Sequence, residues 1–530
     1  MAEFINRQVR DIDFARRNAN YKTNIWNYEH LQSLTKQYDV CSILCGVENR
    51  WYYKLELIDE MNKIALSHYF EKDIIEVVNE IAQCSYVSVN MNQDPYITAL
   101  YFRILRQHGY NVSPDAFLCI MDDEEKFIKS AFSDTKTIIE VFEASHLLAE
   151  DECVGFDKAK TLASKYLKMN YSCTYNIYSL KRPLHWSVSW FNVKKNILQA
   201  KHNAMLIKLA RLSFNIVQVQ HQNDLKEILR WWKNLGLLEV LTFTRDRVVE
   251  SFLCAVGVAY EPQYGSLRKW LTKAITLILI IDDVYDIYGS MKELEQFTYA
   301  VERWDPKEIQ QLPKAIKRCF WVLYDTTNDM DLEIQKEKNW NSVLPHLKRV
   351  WTDFCRALLV EAKWYHTGHT PTLLEYLENG WISSSGYVLS LHALLGVGQD
   401  MTKIIGILNN SHEIIYHSSL IIRLYNDKST SKAELERGDA PSSIRCYMSE
   451  ANVTEEEARC HIENTITCSW KKINGLFISR PRSEQPFIEY IINTARVANF
   501  IYQNGDGFGD QDGETRDQVL SCLIEPLPLA

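Results

Sequence analysis

The 530-residue chain is longer than one compact core can organise and suits two or more domains. Its net charge of −9 excludes the broad basic face that nucleic acid or an anionic membrane surface would require. With 46% hydrophobic residues but only 19 glycines and 13 prolines, the composition favours long helices joined by short connections over strand-rich or low-complexity architectures.

The chain opens on MAEFINRQVRDIDFARR, which has neither an apolar signal core nor the length of a Ser- and Arg-rich transit segment. A cytoplasmic protein is expected, with a plastid location requiring a further leader. Cys41 and Cys45 are the most closely spaced of 13 scattered cysteines. The odd count and the absence of CxxC point to reduced, buried thiols, not to a disulfide framework or a zinc site. From Lys54 onward a helical period dominates: Leu55, Ile58, Met61 and Ile64-Ala65 recur at steps of three to four, as do Phe127, Ile128, Phe132, Ile138, Val141 and Phe142. Pro183 and the tryptophans of LKRPLHWSVSWFNVKKNILQA interrupt that period and set a domain boundary near residue 200. The expectation is therefore an all-α protein of two helical domains, 1–200 and 201–530.

Past the boundary, helices are expected over Ala204 to Val217 and Leu225 to Leu235. The segment LRKWLTKAITLILIIDDVYDIYG then reads as a buried helix with three carboxylates at its C-terminal end. Its apolar run, Leu277 to Ile281, is far shorter than the roughly 20 residues that cross a bilayer, so no membrane span is expected. A helix C-terminus already carries negative partial charge, so acids gathered there call for a cation. Asp282 and Asp286 share a helix face with Asp283 beside them, an arrangement that repels itself unless a hard cation such as Mg²⁺ is bound through oxygen. In the later segment IIRLYNDKSTSKAELERGD, Asn426, Thr430 and Glu434 sit at i, i+4 and i+8, forming a second row of oxygen donors. Asp427 points about 100° away from that row and is expected in supporting or surface contacts. Arg245 and Arg247 flank Asp246, and Arg423 lies a turn before Asn426; guanidinium forks of this kind suit phosphate oxygens. Any one of these features alone would pass for a solvated acidic helix end or a surface ion pair.

Together they closely resemble the plant terpene synthases, over nearly the whole chain. Arg16, Arg17 and Trp26 match the family's RR(x)8W motif, Arg245-Asp246-Arg247 its RxR motif and DDVYD its aspartate-rich motif. Asn426, Asp427, Thr430 and Glu434 match its second metal motif. The resemblance implies an N-terminal helical barrel relic and a C-terminal class I catalytic bundle. It implies three Mg²⁺ ions, with Mn²⁺ as the alternative, held by Asp282, Asp286, Asn426, Thr430 and Glu434. The diphosphate of a prenyl substrate would lie against Arg245, Arg247, Asp282, Asp286, Arg423 and Asn426. Isoprenyl diphosphate synthases carry two aspartate-rich motifs instead, so a lyase is favoured. The class II motif DxDD is missing, since Asp11-Ile12-Asp13-Phe14 stops one aspartate short. Arg16 and Arg17 are expected over the catalytic mouth or as a surface anchor. Tyr502 and Asp506 match residues that family members place at the pocket rim beside a lid, and Gly505, Gly507 and Gly509 would permit its movement.

The substrate is read from finer features. Cyclising relatives carry a tryptophan in VEx(F/Y)xW to face a cation, where this chain has Cys254, which leans toward an acyclic product. The segments WFNVK, FLCAVGVAYEP and NGDGFGDQ resemble the α-farnesene synthases of the b subfamily. Isoprene synthases place phenylalanines where this chain has Ile275 and Ile422, and an asparagine where it has Ser442; smaller side chains leave room for a longer substrate. The expectation is farnesyl diphosphate converted to an acyclic sesquiterpene such as (E,E)-α-farnesene by a monomer. Geranyl diphosphate to ocimene, myrcene or linalool is the alternative. An inactive paralogue that only binds prenyl diphosphate is the third reading, prompted by atypical segments at 38–55 and 170–186.

Overall fold

A computed structural model of the chain describes residues 51–83, 94–115, 135–152, 156–169, 180, 182–200, 204–437, 442–509 and 513–528. Every regular element among them is helical, as the composition predicts. The expectations placed on Asp11, Asp13, Arg16, Arg17, Trp26, Cys41, Cys45, Phe127, Ile128 and Phe132 lie outside the described residues, as does most of the 170–186 segment.

In the N-terminal part, helix α1 (Trp51–Lys63) buries Leu55, Ile58 and Met61, the stripe that its period of three to four predicts. Helix α2 (Pro95–Gln107) begins where the Asp94 carboxylate accepts the N–H groups of Tyr96 and Ile97 and Pro95 occupies the first turn. Helix α3 (Thr135–Ala144) turns Ile138, Val141 and Phe142 inward. Arg103 of α2 is buried between Asp59 of α1 and Glu140 of α3, at 2.7 and 2.5 Å, which ties the three helices together.

The Pro183 interruption docks this part onto the rest of the chain. His185 meets the Asn474 side chain at 2.7 Å, and Asn474 donates to the carbonyls of His146 and Leu148, both at 2.9 Å. Trp186 stacks on Trp470 with ring centroids 5.6 Å apart, and Arg496 and Asn499 donate to the carbonyls of His185 and Trp186.

The two helices expected between 204 and 235 are one, α4 (Ala204–Leu235). The polar stretch QVQHQND that separates the two expected helices contains no glycine or proline, and its side chains have buried partners. Gln218 donates to the Cys522 carbonyl, and His221 meets the Tyr260 carbonyl at 2.7 Å. Asp224 accepts from Arg268 at 2.7 and 3.0 Å. Both members of that last pair are buried, Arg268 completely. Asp224→Ala is expected to cost about 3–5 kcal/mol, because it leaves an uncompensated buried guanidinium. Thermal denaturation reads the loss, and an unchanged Tm would contradict it.

The C-terminal part is a bundle in which α5 (Val248–Val258) packs on α6 (Gly265–Asp283), α6 on α9 (Gly386–Val397), α9 on α10 (His412–Arg437), α10 on α12 (Gln485–Tyr502), and α12 back on α5. Helices α7 (Leu344–Thr367) and α8 (Leu373–Ser383) brace this ring, and α8 and α11 (Glu455–Ser479) both pack on α10. No helix among the described residues is long and apolar enough to cross a membrane.

Candidate active site

Helix α6 is buried along nearly its whole length, from Leu267 to Ile281, and carries its acids out of the core at its C-terminal end. There the backbone widens into a single π turn, Val284–Tyr288, closed by the Gly289 N–H on the Val284 carbonyl at 2.8 Å. The three carboxylates diverge. The Asp282 side chain is 38% exposed and Asp286 is exposed, whereas that of Asp283 is 4% exposed and faces inward.

The cation demanded by that helix end is Arg245. Its backbone N–H and its guanidinium donate to Asp283 at 3.3 and 2.9 Å, and the guanidinium also lies 3.6 Å from Asp282 and 3.8 Å from Asp506. One guanidinium thus gathers three acids. Loss of hydration in the cleft, opposed by Arg245 and reinforced by Asp283, pushes the Asp282 carboxyl up to about 6. Burial raises Asp283 as well, against the pull of Arg245.

The second donor row lies on α10. Asn426 and Thr430 are half-buried, and the Thr430 hydroxyl donates to the Asn426 carbonyl at 3.0 Å, leaving its oxygen lone pairs available. Glu434 follows on the same helix, with its side chain outside the described residues. Asp427 is buried: it accepts from the Tyr376 hydroxyl and from the Ser443 N–H, both at 2.9 Å. Arg423 donates to Glu361 of α7 at 3.0 Å and to Ser383 of α8 at 2.6 Å, and lies 3.9 Å from Asp427. Gly380 makes room for it, since a Cβ there would come 3.3 Å from the Arg423 side chain. Arg423 is near enough to Asp282 to hold that carboxyl down, which brings the N-terminal side of the second row into the field of the first.

At the rim, Tyr502 ends α12, and the chain turns sharply at Gly505, whose φ of +120° disfavours any other residue. A side chain at Gly507 would meet the Ile501 carbonyl at 2.5 Å. These glycines build a tight turn around Asp506, which accepts the Phe508 N–H at 3.0 Å. Arg247, expected with Arg245 on the diphosphate, is not brought to the acid cluster. It is buried and donates to the carbonyls of Phe508 (2.5 Å), Gly509 (3.2 Å) and Asp246 (2.8 Å), which locks the same turn from below. Glu361, Ser383 and Tyr376 carried no sequence signal; they are single polar residues on helices without a motif.

Among the described residues no three His, Cys, Asp or Glu side chains converge as a closed metal site. The donors expected from the sequence sit on two helices, α6 with its π turn and α10, and all of them are oxygen. That suits a hard divalent ion completed by water and by a substrate's phosphates better than it suits a closed structural metal.

Oxygen side chains on two helices of the bundle, with an arginine among the acids, are a donor set that hard divalent ions and a diphosphate would fit. The family model described as "Terpene synthase, N-terminal domain" matches residues 5–186, and "Terpene synthase family, metal binding domain" matches residues 233–472. The (E,E)-alpha-farnesene synthase of Malus domestica is 46% identical, covering 97% of this chain and 94% of its own, and the alpha-farnesene synthase of Ricinus communis is 44% identical, covering 97% and 96%. The myrcene synthase of Quercus ilex is 39% identical, covering 98% and 91%. Among solved structures, isoprene synthase from grey poplar leaves (Populus x canescens), in complex with three Mg²⁺ ions and dimethylallyl-S-thiolodiphosphate, is similar at a TM-score of 0.85. It is 37% identical, covering 92% of this chain and 94% of its own. The chain belongs to the terpene synthase family: it is a plant terpene synthase, a carbon–oxygen lyase with a divalent-metal-binding domain.

Proposed function

We propose that this terpene synthase takes farnesyl diphosphate and releases an acyclic sesquiterpene such as (E,E)-α-farnesene. What supports the chain length and product is the higher identity to two α-farnesene synthases, 44–46%, than to the myrcene synthase, 39%. What supports the chemistry is the convergence of Asp282, Asp283 and Asp506 on Arg245 opposite the Asn426 row. We take residues 1–200 as scaffold and 201–530 as the catalytic part.

Asp282 and Asp286 on one wall, and Asn426, Thr430 and Glu434 on the other, would hold three Mg²⁺ ions. When bound, those ions neutralise the charge that develops on the departing diphosphate. Arg245 and Arg423 orient the diphosphate oxygens from opposite sides, and both are already placed by carboxylates, so little reorganisation accompanies ionisation. The allylic C–O bond breaks, the electron pair leaves with the diphosphate, and a carbocation remains on the prenyl chain. Loss of a proton from that cation, without ring closure, gives the triene chain with an added double bond. Cys254 is buried on α5, where a tryptophan's π face would otherwise favour a cyclising cation.

Purified protein incubated with Mg²⁺ and either farnesyl or geranyl diphosphate, with the volatiles identified, tests the reading. Farnesene as the main product is expected. Ring-containing products, or a clear preference for geranyl diphosphate, would overturn it.

Pocket length carries a further prediction. Ile275 lies two turns before Asp282 on α6 and Ile422 one turn before Asn426 on α10, and both are buried. Ile422→Phe is expected to shift the ratio of kcat/KM for the shorter over the longer diphosphate by about tenfold or more, through lost room for the tail. Competition between the two substrates measures it, and an unchanged ratio would remove Ile422 from the pocket wall.

A further inference from the structure

Keeping water from a carbocation depends on groups that hold the site's rim in place without touching the substrate. One such group comes from the N-terminal side of the domain junction. Arg182 is buried, at 8% exposure, immediately before the Pro183–Trp186 docking segment. Its Nε donates to the Gln503 side chain, and its two terminal nitrogens form a fork on the Glu514 carboxylate, with Nη2 to Oε2 at 2.5 Å. The guanidinium also lies over the Phe500 ring of α12, 4.8 Å from its centroid. Asn504 donates to the same carboxylate at 2.5 Å.

The two partners have telling places in the chain. Gln503 and Glu514 stand on either side of Asp506, and Tyr502 immediately precedes Gln503. Asp506 is a partner of Arg245, and Tyr502 lies within the influence of Asp506, Arg245 and Asp282. The rim is thus gripped twice, by Arg247 at Phe508 and Gly509 and by Arg182 at Gln503 and Glu514. A bidentate guanidinium–carboxylate pair in a buried setting fixes direction as well as distance. The ordinary alternative is an interdomain staple that adds stability alone.

We propose that Arg182 is a positioning residue for the reaction: from the N-terminal side it fixes Gln503 and Glu514 so that Tyr502 and Asp506 stand over the acid cluster and exclude water. The inference rests on the ionisation reading above. It gives the N-terminal part, which lacks an acid motif of its own, a role in catalytic outcome.

The test uses the full chain with Arg182→Gln, Arg182→Lys, Glu514→Gln and the swap Arg182→Glu with Glu514→Arg. Thermal stability, kcat and KM for farnesyl diphosphate with Mg²⁺, and the fraction of product recovered as alcohol are measured. Alcohol forms when water adds to the cation and loses a proton, so that fraction reports directly on exclusion. Arg182→Gln and Glu514→Gln are expected to lower kcat about tenfold with KM within about twofold, and to raise the alcohol fraction several-fold. Arg182→Lys and the swap should each recover part of both. A folded Arg182→Gln enzyme with a lower Tm but unchanged kcat and alcohol fraction would overturn the proposal and leave only the staple. If Arg182→Gln does not fold, Glu514→Gln, on the more exposed partner, decides by the same criteria. An inactive wild type would overturn the ionisation reading itself, whereas an active wild type beside unaffected variants sinks the clamp alone.

Discussion

Asp282→Ala is expected to leave a folded protein whose Mg²⁺-dependent turnover of farnesyl diphosphate falls by roughly 10²–10³-fold or more. Two observations set this expectation. The Asp282 side chain is 38% exposed at the mouth, so its removal opens no cavity. It also stands among Asp283 and Asp506 with one arginine between them, so losing it relieves like-charge repulsion in the metal-free protein. Stability should hold or rise while catalysis disappears, because an electrostatic contact to the leaving diphosphate is worth most in the transition state. Asp283→Ala serves as the contrast. Asp283 is buried against Arg245, so its loss should reduce both Tm and turnover. Released diphosphate and thermal denaturation, measured on the same preparations, separate the two. Near-normal turnover by Asp282→Ala would remove this acid from the metal row.

The features that the sequence made legible are those with a local period. The α1 stripe, the buried length of α6 and the spacing of Asn426 and Thr430 each follow from helical geometry within one segment. A charge argument did as well: acids at a helix C-terminus demanded a cation, and Arg245 is there. What could not be read depends on partners distant in the chain. The polar middle of α4 shows no apolar period of its own because its partners, Cys522, Tyr260 and Arg268, belong to other elements. The helical angle of Asp427 admits both supporting and surface roles; Tyr376 and Ser443 decide for burial. The π turn after Asp283 has no composition of its own, since it differs from α-helix by one residue in a turn. Nor does any motif announce Glu361, whose pairing with Arg423 joins α7 to α10.

The sharpest departure from motif reading concerns the two arginines of RxR, which the sequence treats alike. Arg245→Ala is expected to lose roughly 10²–10³-fold in turnover, whereas Arg247→Ala should act mainly through stability and the rim. Arg245 is partly exposed and three acids, Asp282, Asp283 and Asp506, lie against its guanidinium, so its removal leaves them facing one another without that charge. The variant's Tm should therefore rise with added Mg²⁺ more steeply than that of the wild type, since ions that bind only the folded cluster now supply the missing positive charge. Arg247 is 2% exposed and donates to three main-chain carbonyls. Alanine there strands those acceptors, at about 1–3 kcal/mol for each one that water cannot reach, and loosens the turn that carries Asp506. A lower Tm with little Mg²⁺ dependence, and a turnover defect smaller than that of Arg245→Ala, is the expected pattern. If Arg247→Ala matched Arg245→Ala in turnover at unaltered stability, both arginines would have to reach the diphosphate, and the carbonyl contacts of Arg247 would have to break whenever substrate binds.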